Sequence, residues 1–166
     1  MATLLADTYY LKAYDNYPYE LAEVLENLNY TLSYDSDHPA ANCLMGQLQL
    51  HYLKDYTTAE SYFEAALVSD PEFVCAYEYL FYLYLNEHKL IKAQRILDRL
   101  QMISSTSPSF VLWGMARIME IREQYKIAKH YLKVALTKTY SKDEVSFLKE
   151  ELDRLSEKMR AVKKLK

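Results

Sequence analysis

The sequence predicts an all-α chain, and three observations carry that prediction. Across 166 residues there are only two glycines and four prolines, fewer than the turns of a strand-rich fold demand. Apolar residues make up 51% of the chain, which suits a packed structure and argues against disorder. They recur at three- and four-residue steps, the period of a helix face. Small residues also recur at a longer interval: Ala59, Ala93 and Ala128 follow one another in steps of 34 and 35. A period of that length marks stacked supersecondary units, none of which can bury both of its apolar faces alone.

The stretch from Pro39 to Pro71, PAANCLMGQLQLHYLKDYTTAESYFEAALVSDP, shows one unit whole. Two helix-like segments flank a polar break at Lys54-Asp55-Tyr56. The second carries Ala59, Phe63, Ala66-Leu67 and then Pro71. Ala59 and Ala66 let a neighbouring helix approach, Phe63 fills the gap one turn on, and Pro71 cannot continue a helix ladder. The Ala66 position recurs as Leu100 and Ala135, and the Phe63 position as Leu28, Leu97 and Leu132. One period earlier, Val24, Thr31 and Leu32 stand for Ala59, Ala66 and Leu67. This pattern resembles the tetratricopeptide repeat, a helical hairpin of about 34 residues. The resemblance implies an α-α superhelix, right-handed, of four hairpins at about 2–36, 39–70, 72–105 and 108–139, with a capping helix and basic tail over 141–166.

The elements follow in order. A first helix is expected over residues 2–15. Its repeat match is weakest, since Lys12 falls where a small residue is usual, so it is read as a polar outer face. After the turn Asp15-Asn16-Tyr17-Pro18, Pro18 can occupy the first turn of a helix. That helix runs to Tyr34 and aligns Leu21, Val24, Leu25, Leu28 and Leu32. Asp35-Ser36-Asp37-His38-Pro39 reads as a connection in which Asp and Ser cap helix ends, not as a metal loop, which would need more carboxylates and a glycine. In the second hairpin Gly46 marks a close helix approach, and one extra residue lies before Asp55. The third, over 72–103, aligns Tyr77, Leu80, Phe81 and Tyr84 and turns at Asn86-Glu87-His88. After the polar loop 104–109, the fourth aligns Leu112, Met115, Ala116 and Met119. Ser141 and Glu144 form a capping box for the last helix. Its seam of Val145, Leu148, Leu152, Leu155, Met159 and Val162 covers the last hairpin, favouring a monomer over a homodimer paired through this helix. The tail from Arg160 to Lys166 is expected to fray.

Composition narrows the function. A net charge of −3 and a pI near 5.8 speak against broad attraction to nucleic acid. Cys43 and Cys75 read as small apolar residues of a reduced protein, without a disulfide, redox or metal pattern. The opening MATLLADTYYLKAY lacks a basic lead and sustained apolar core, unlike a secretory leader. No apolar run reaches the roughly 20 residues that span a bilayer. A cytoplasmic protein with no membrane association is expected. Glycine occurs only at Gly46 and Gly114, so neither a dinucleotide fingerprint nor a phosphate loop can be written. No nucleophile elbow occurs. His38, His51, His88 and His130 lack zinc spacing and read as surface or capping residues. The expectation is a non-enzyme without metal or cofactor.

In tetratricopeptide-like solenoids the first helix of each hairpin lines a concave groove. Carried over by register, the resemblance implies that a protein or peptide partner meets Tyr9 and Ala13, Cys43 and Gln47, Glu78 and Tyr82, then Trp113 and Arg117, with Phe110 and Glu120 beside them. Aromatic and arginine side chains are common anchors for a bound chain, although Tyr82 and Trp113 can equally complete packing between repeats. The Lys and Asn ring with which some such domains dock acidic chaperone tails is missing from these positions. The predicted function is a non-catalytic adaptor or scaffold. The alternative is the branch of small acidic secretion chaperones. The RNA-binding pentatricopeptide repeats fit the spacing and the acidic balance less well.

Overall fold

The computed structural model describes residues 2–164, with side chains from residue 4 onward. Met1 and the last two residues of the expected basic tail, Leu165 and Lys166, lie outside the described residues. The described residues form nine α-helices and one π-helical segment, and contain no strand. The chain divides into two compact units, one reaching Leu83 and the other starting at Tyr84.

In the first unit, α1 (Ala2–Asn16) packs along α2 (Leu21–Tyr34). Ala6 and Ala13 are fully buried, so the small contact positions of α1 lie either side of the exposed Lys12 rather than at it. Leu4, Leu5 and Leu11 are exposed, so the outward face expected to be polar carries leucines. On α2, Val24, Leu28 and Thr31 are buried as expected and Leu21 and Leu32 are half-buried, but Leu25 is exposed. Thr31 tolerates burial because its hydroxyl donates to the Asn27 carbonyl at 2.9 Å. Pro18 lies in the preceding turn, not in the first turn of α2, which begins three residues later.

The cap of α3 (Pro39–Leu48) is His38, not the Asp or Ser residues before it. Its Nδ1 accepts from the Ala41 amide at 3.2 Å, and Nε2 meets Asp7 Oδ1 on α1 at 3.2 Å. Pro39 sits at the start of the helix, where no intrahelical N–H bond is lost. The helix then widens into a π-helical segment, Gln49–Leu53. Such a segment accommodates one inserted residue, and it lies where the extra residue before Asp55 was expected. Asp55 caps α4 (Tyr56–Ser69), accepting from the Thr58 amide at 3.0 Å. Tyr56 therefore belongs to α4 rather than to the break. Ala59, Phe63 and Ala66 are all fully buried. A Cβ on Gly46 would stand 2.6 Å from Phe63 Cε1, so the ring occupies the space that only glycine leaves. In α5 (Val74–Asn86), Ala76, Leu80 and Phe81 are buried in this unit. Tyr77 is half-buried, with its hydroxyl donating to the Pro71 carbonyl at 3.2 Å.

The second unit contains α6 (Leu90–Leu100), α7 (Pro108–Ile121), α8 (Tyr125–Leu136) and α9 (Lys142–Lys164). Ala93, Leu97 and Leu100 on α6 are fully buried, and so are Ala128 and Ala135 on α8, with Leu132 between them nearly so. On α7 the expected face shifts. Val111, Trp113, Ala116 and Ile118 are buried, whereas Leu112, Met115 and Met119 are half-buried. The cause is α9, which lies against the hairpin and covers the Trp113 side. Leu148 and Leu155 of the α9 seam are buried, and Val145, Leu152, Met159 and Val162 half-buried. The tail expected to fray from Arg160 stays helical through Lys164. Of the capping box, only one half forms: the Glu144 amide reaches Ser141 Oγ at 3.4 Å, while its carboxylate accepts from Ser109 on α7 at 2.8 Å.

Three turns between successive helices share one device. Lys54, His88 and Glu123 each take a left-handed conformation, with φ of 57°, 56° and 60°. Behind His88, the Lys89 amide donates to the Tyr84 carbonyl at 2.8 Å, and behind Glu123 the Gln124 amide donates to Met119 at the same distance. This is the six-to-one closure that usually ends on glycine. At Lys54 the corresponding bond runs one residue further back, from the Asp55 amide to Gln49 at 3.1 Å, which is the inserted residue again. Among the described residues, no helix is long and apolar enough to cross a membrane.

Candidate functional site

Three helices of the first unit line a cavity of about 380 Å³. From α1 come Tyr10 and Tyr14, one turn apart, with Tyr17 just beyond the helix end. From α3 come Ala40, Cys43, Leu44 and Gln47, which share a face because three- and four-residue steps stack on a helix. From α5 come Cys75 and Tyr79, again one turn apart, with Phe73 at its entrance. Each helix gives one stripe, so the cavity follows from helical spacing on neighbouring elements.

The back wall is fixed by hydrogen bonds and stacking. The Tyr79 ring stacks on Phe63, with centroids 5.4 Å apart and planes 6° from parallel. Its hydroxyl donates to Gln47 Oε1 at 3.0 Å, and Gln47 Nε2 reaches Cys43 Sγ at 3.7 Å. Cys43 Sγ in turn stands 3.5 Å from Cys75 Sγ. Tyr10 packs against the His38 ring at 5.0 Å, so the cap of α3 also steadies the α1 wall.

Burial sets the protonation of the lining. It pushes the Tyr10 hydroxyl up to about 12, with nearby Tyr14 adding to the effect, and raises those of Tyr17 and Tyr79. Cys43 is held as a thiol by its hydrogen bond to Cys75 and by burial, while Cys75 is lowered by that same bond. Burial raises the carboxyl of Glu78, which lies near both thiols. At neutral pH the phenols are neutral donors and acceptors mounted on apolar rings. Such a lining suits apolar or aromatic groups that also carry a neutral hydrogen-bonding function.

The residues expected to face a partner fall into different surroundings. Cys43 and Gln47 line the cavity, and Glu78 stands beside it. Tyr9 does not: it packs on Tyr30 at 5.0 Å and Tyr34 at 5.9 Å, against α2. Successive helix residues point about 100° apart, so Tyr10 takes the cavity face in place of Tyr9. Ala13 is part of the core with Val24, Leu28 and Leu44. Tyr82 is 38% exposed, its ring 6.0 Å from that of Phe81.

In the second unit, α9 covers the remaining candidates. Trp113 is only 6% exposed. Its indole lies 5.6 Å from the ring of Phe110 and 5.7 Å from that of Phe147, and its N–H donates to Glu151 at 3.2 Å. Arg117 donates to Glu120 at 2.9 Å. Glu120 also accepts from Arg154 and Lys158 of α9. These side chains bind the chain's own last helix.

Tyr10, Tyr14, Tyr17, Phe73, Cys75 and Tyr79 line the cavity without being among the expected partner-facing residues. The four-residue step from Tyr10 to Tyr14 was visible. The pairing of Cys43 with Cys75 was not, because the repeat step sets Cys43 against Glu78, one turn away from Cys75. Among the described residues, no group of three or more His, Cys, Asp or Glu is placed to hold a metal ion. No protein-family model matches the chain, and no curated protein matches it.

Proposed function

We propose that this chain is a non-catalytic protein-interaction module, a solenoid of the tetratricopeptide type that binds a segment of a partner protein. The observation that carries the reading is the tyrosine-lined cavity, to which α1, α3 and α5 each give one helical stripe. These are the first helices of successive hairpins, the elements that line the groove in solenoids of this kind. The architecture is supported by the fully buried Ala59, Ala93 and Ala128 and by the near-even spacing of the starts of α3, α5, α7 and α9.

The partner segment inserts an apolar or aromatic side chain between Tyr14 and Cys75, and its backbone takes hydrogen bonds from the phenols. The module works as a cytoplasmic protein, and the burial of Leu148 and Leu155 of the α9 seam within the chain favours a monomer. Nucleic acid is disfavoured as a partner by the acidic balance.

The test is selection from a random-sequence peptide library on the immobilised protein, followed by calorimetry on wild type and Tyr14→Ala. Tyr14 is 60% exposed, so its truncation leaves the fold intact. Enriched peptides that bind wild type and lose affinity for the variant support the reading. Peptides that bind both equally place the interaction elsewhere, and a library that yields no binder counts against it.

A further inference from the structure

We propose that Cys43 and Cys75 are a reversible dithiol–disulfide pair, a modification site in the wall of the tyrosine-lined cavity. The two sulfurs stand 3.5 Å apart on separate helices, α3 and α5. Both are free thiols. A disulfide needs a sulfur separation of about 2.05 Å, so the pair must close by roughly 1.5 Å, within reach of small side-chain rotations.

Access and reactivity divide between the two. Cys43 is buried, whereas Cys75 is half-buried, and both line the open cavity. A small oxidant in the cavity therefore meets Cys75. Cys43 donates its S–H toward Cys75, which favours the Cys75 thiolate and holds Cys43 protonated. The thiolate is the nucleophile in thiol chemistry. Cys75 is thus the attacking sulfur and Cys43 the resolving one.

With hydrogen peroxide as oxidant the steps balance. The Cys75 thiolate attacks one peroxide oxygen, the O–O bond breaks, and hydroxide leaves and takes a proton to become water. Cys75 is now a sulfenic acid. The Cys43 sulfur attacks it, the S–S bond forms, the S–O bond breaks, and the departing hydroxide combines with the Cys43 proton as a second water. Two thiols have lost two electrons and peroxide has gained them. A thiol reductant reverses the reaction by exchange. The product ties α3 to α5 beside Gln47 and Tyr79.

The test treats the purified, fully reduced chain with hydrogen peroxide and follows intact mass and alkylation of free thiols. The expected product is monomeric, lighter by two hydrogens, unreactive to iodoacetamide and restored by dithiothreitol, with a Cys43–Cys75 linked peptide after digestion. Cys43→Ser is expected to stop at a Cys75 sulfenic acid trapped by dimedone. Cys75→Ser is expected to oxidise far more slowly, with circular dichroism confirming that both variants remain helical. Thiols that stay fully alkylatable, oxygen adducts in wild type without loss of two hydrogens, or disulfide-linked dimers would each overturn the proposal.

Discussion

Arg154 on α9 grips Glu120 on α7 through two parallel hydrogen bonds, Nη1 to Oε1 at 2.8 Å and Nη2 to Oε2 at 2.6 Å. Lys158 adds a third contact at 2.9 Å and Arg117 a fourth at 2.9 Å. Arg154 lowers the Glu120 carboxyl, burial opposes it, and Lys158 and Arg117 assist, leaving it at about 2 against an ordinary 4.5. A depressed carboxylate stabilises the fold above its unfolded value and loses that contribution as pH falls through its folded value. Wild type should therefore lose stability between pH about 4.5 and about 2 that Glu120→Gln does not, by roughly 1–3 kcal/mol after allowing for the half-exposed cations. Melting temperatures across an acid series check this. Parallel curves for the two proteins would show that the cluster contributes nothing.

Trp113→Ala separates burial from binding. The indole is enclosed by Phe110, Phe147 and Glu151, so its removal leaves a cavity under α9. The expected loss is about 3–5 kcal/mol of stability by urea unfolding. A variant as stable as wild type would mean that α9 does not rest on this ring.

Gly46→Ala probes the contact between α3 and α4. The new methyl would meet three atoms of the buried Phe63 ring at 2.6, 2.8 and 3.0 Å. The ring also stacks on Tyr79, so it has little room to yield. Overpacking of this kind costs roughly 1–3 kcal/mol, and Ala93→Leu and Ala128→Leu should behave alike. Thermal melts that do not move would refute the tight packing.

The three left-handed turn residues predict gains. Lys54, His88 and Glu123 carry a Cβ where glycine would be unstrained. Lys54→Gly, His88→Gly or Glu123→Gly should each stabilise the chain by up to about 1 kcal/mol, the steric relief being partly offset by a more flexible unfolded state. Lower melting temperatures in all three would show that the side chains contribute more than the strain costs.

The helices and their small contact positions were legible because they are encoded locally. Ala59, Phe63 and Ala66 repeat at fixed intervals, and each is fully buried. The inserted residue before Asp55 was also visible, as a break in the period, and it emerges as the π-helical segment. What the period could not convey was rotation. Tyr9 and Tyr10 are adjacent in sequence and face different neighbours, so a one-residue offset moves a candidate from the cavity wall to the α1–α2 contact. Trp113 was undecidable for another reason: the residue that accepts its N–H, Glu151, lies 38 positions away. The Cys43–Cys75 approach likewise depends on a contact between helices 32 positions apart that no local pattern announces.

The proposed function depends most on the cavity as the place where a partner segment binds. The direct measurement is the calorimetric affinity of the tightest library-selected peptide for wild type, Tyr14→Ala and the control Tyr140→Ala, whose side chain is fully exposed and does not line the cavity. Binding in the cavity should give at least a tenfold loss for Tyr14→Ala, about 1.4 kcal/mol, and none for Tyr140→Ala, with all three proteins melting alike. Equal affinity for wild type and Tyr14→Ala would contradict it.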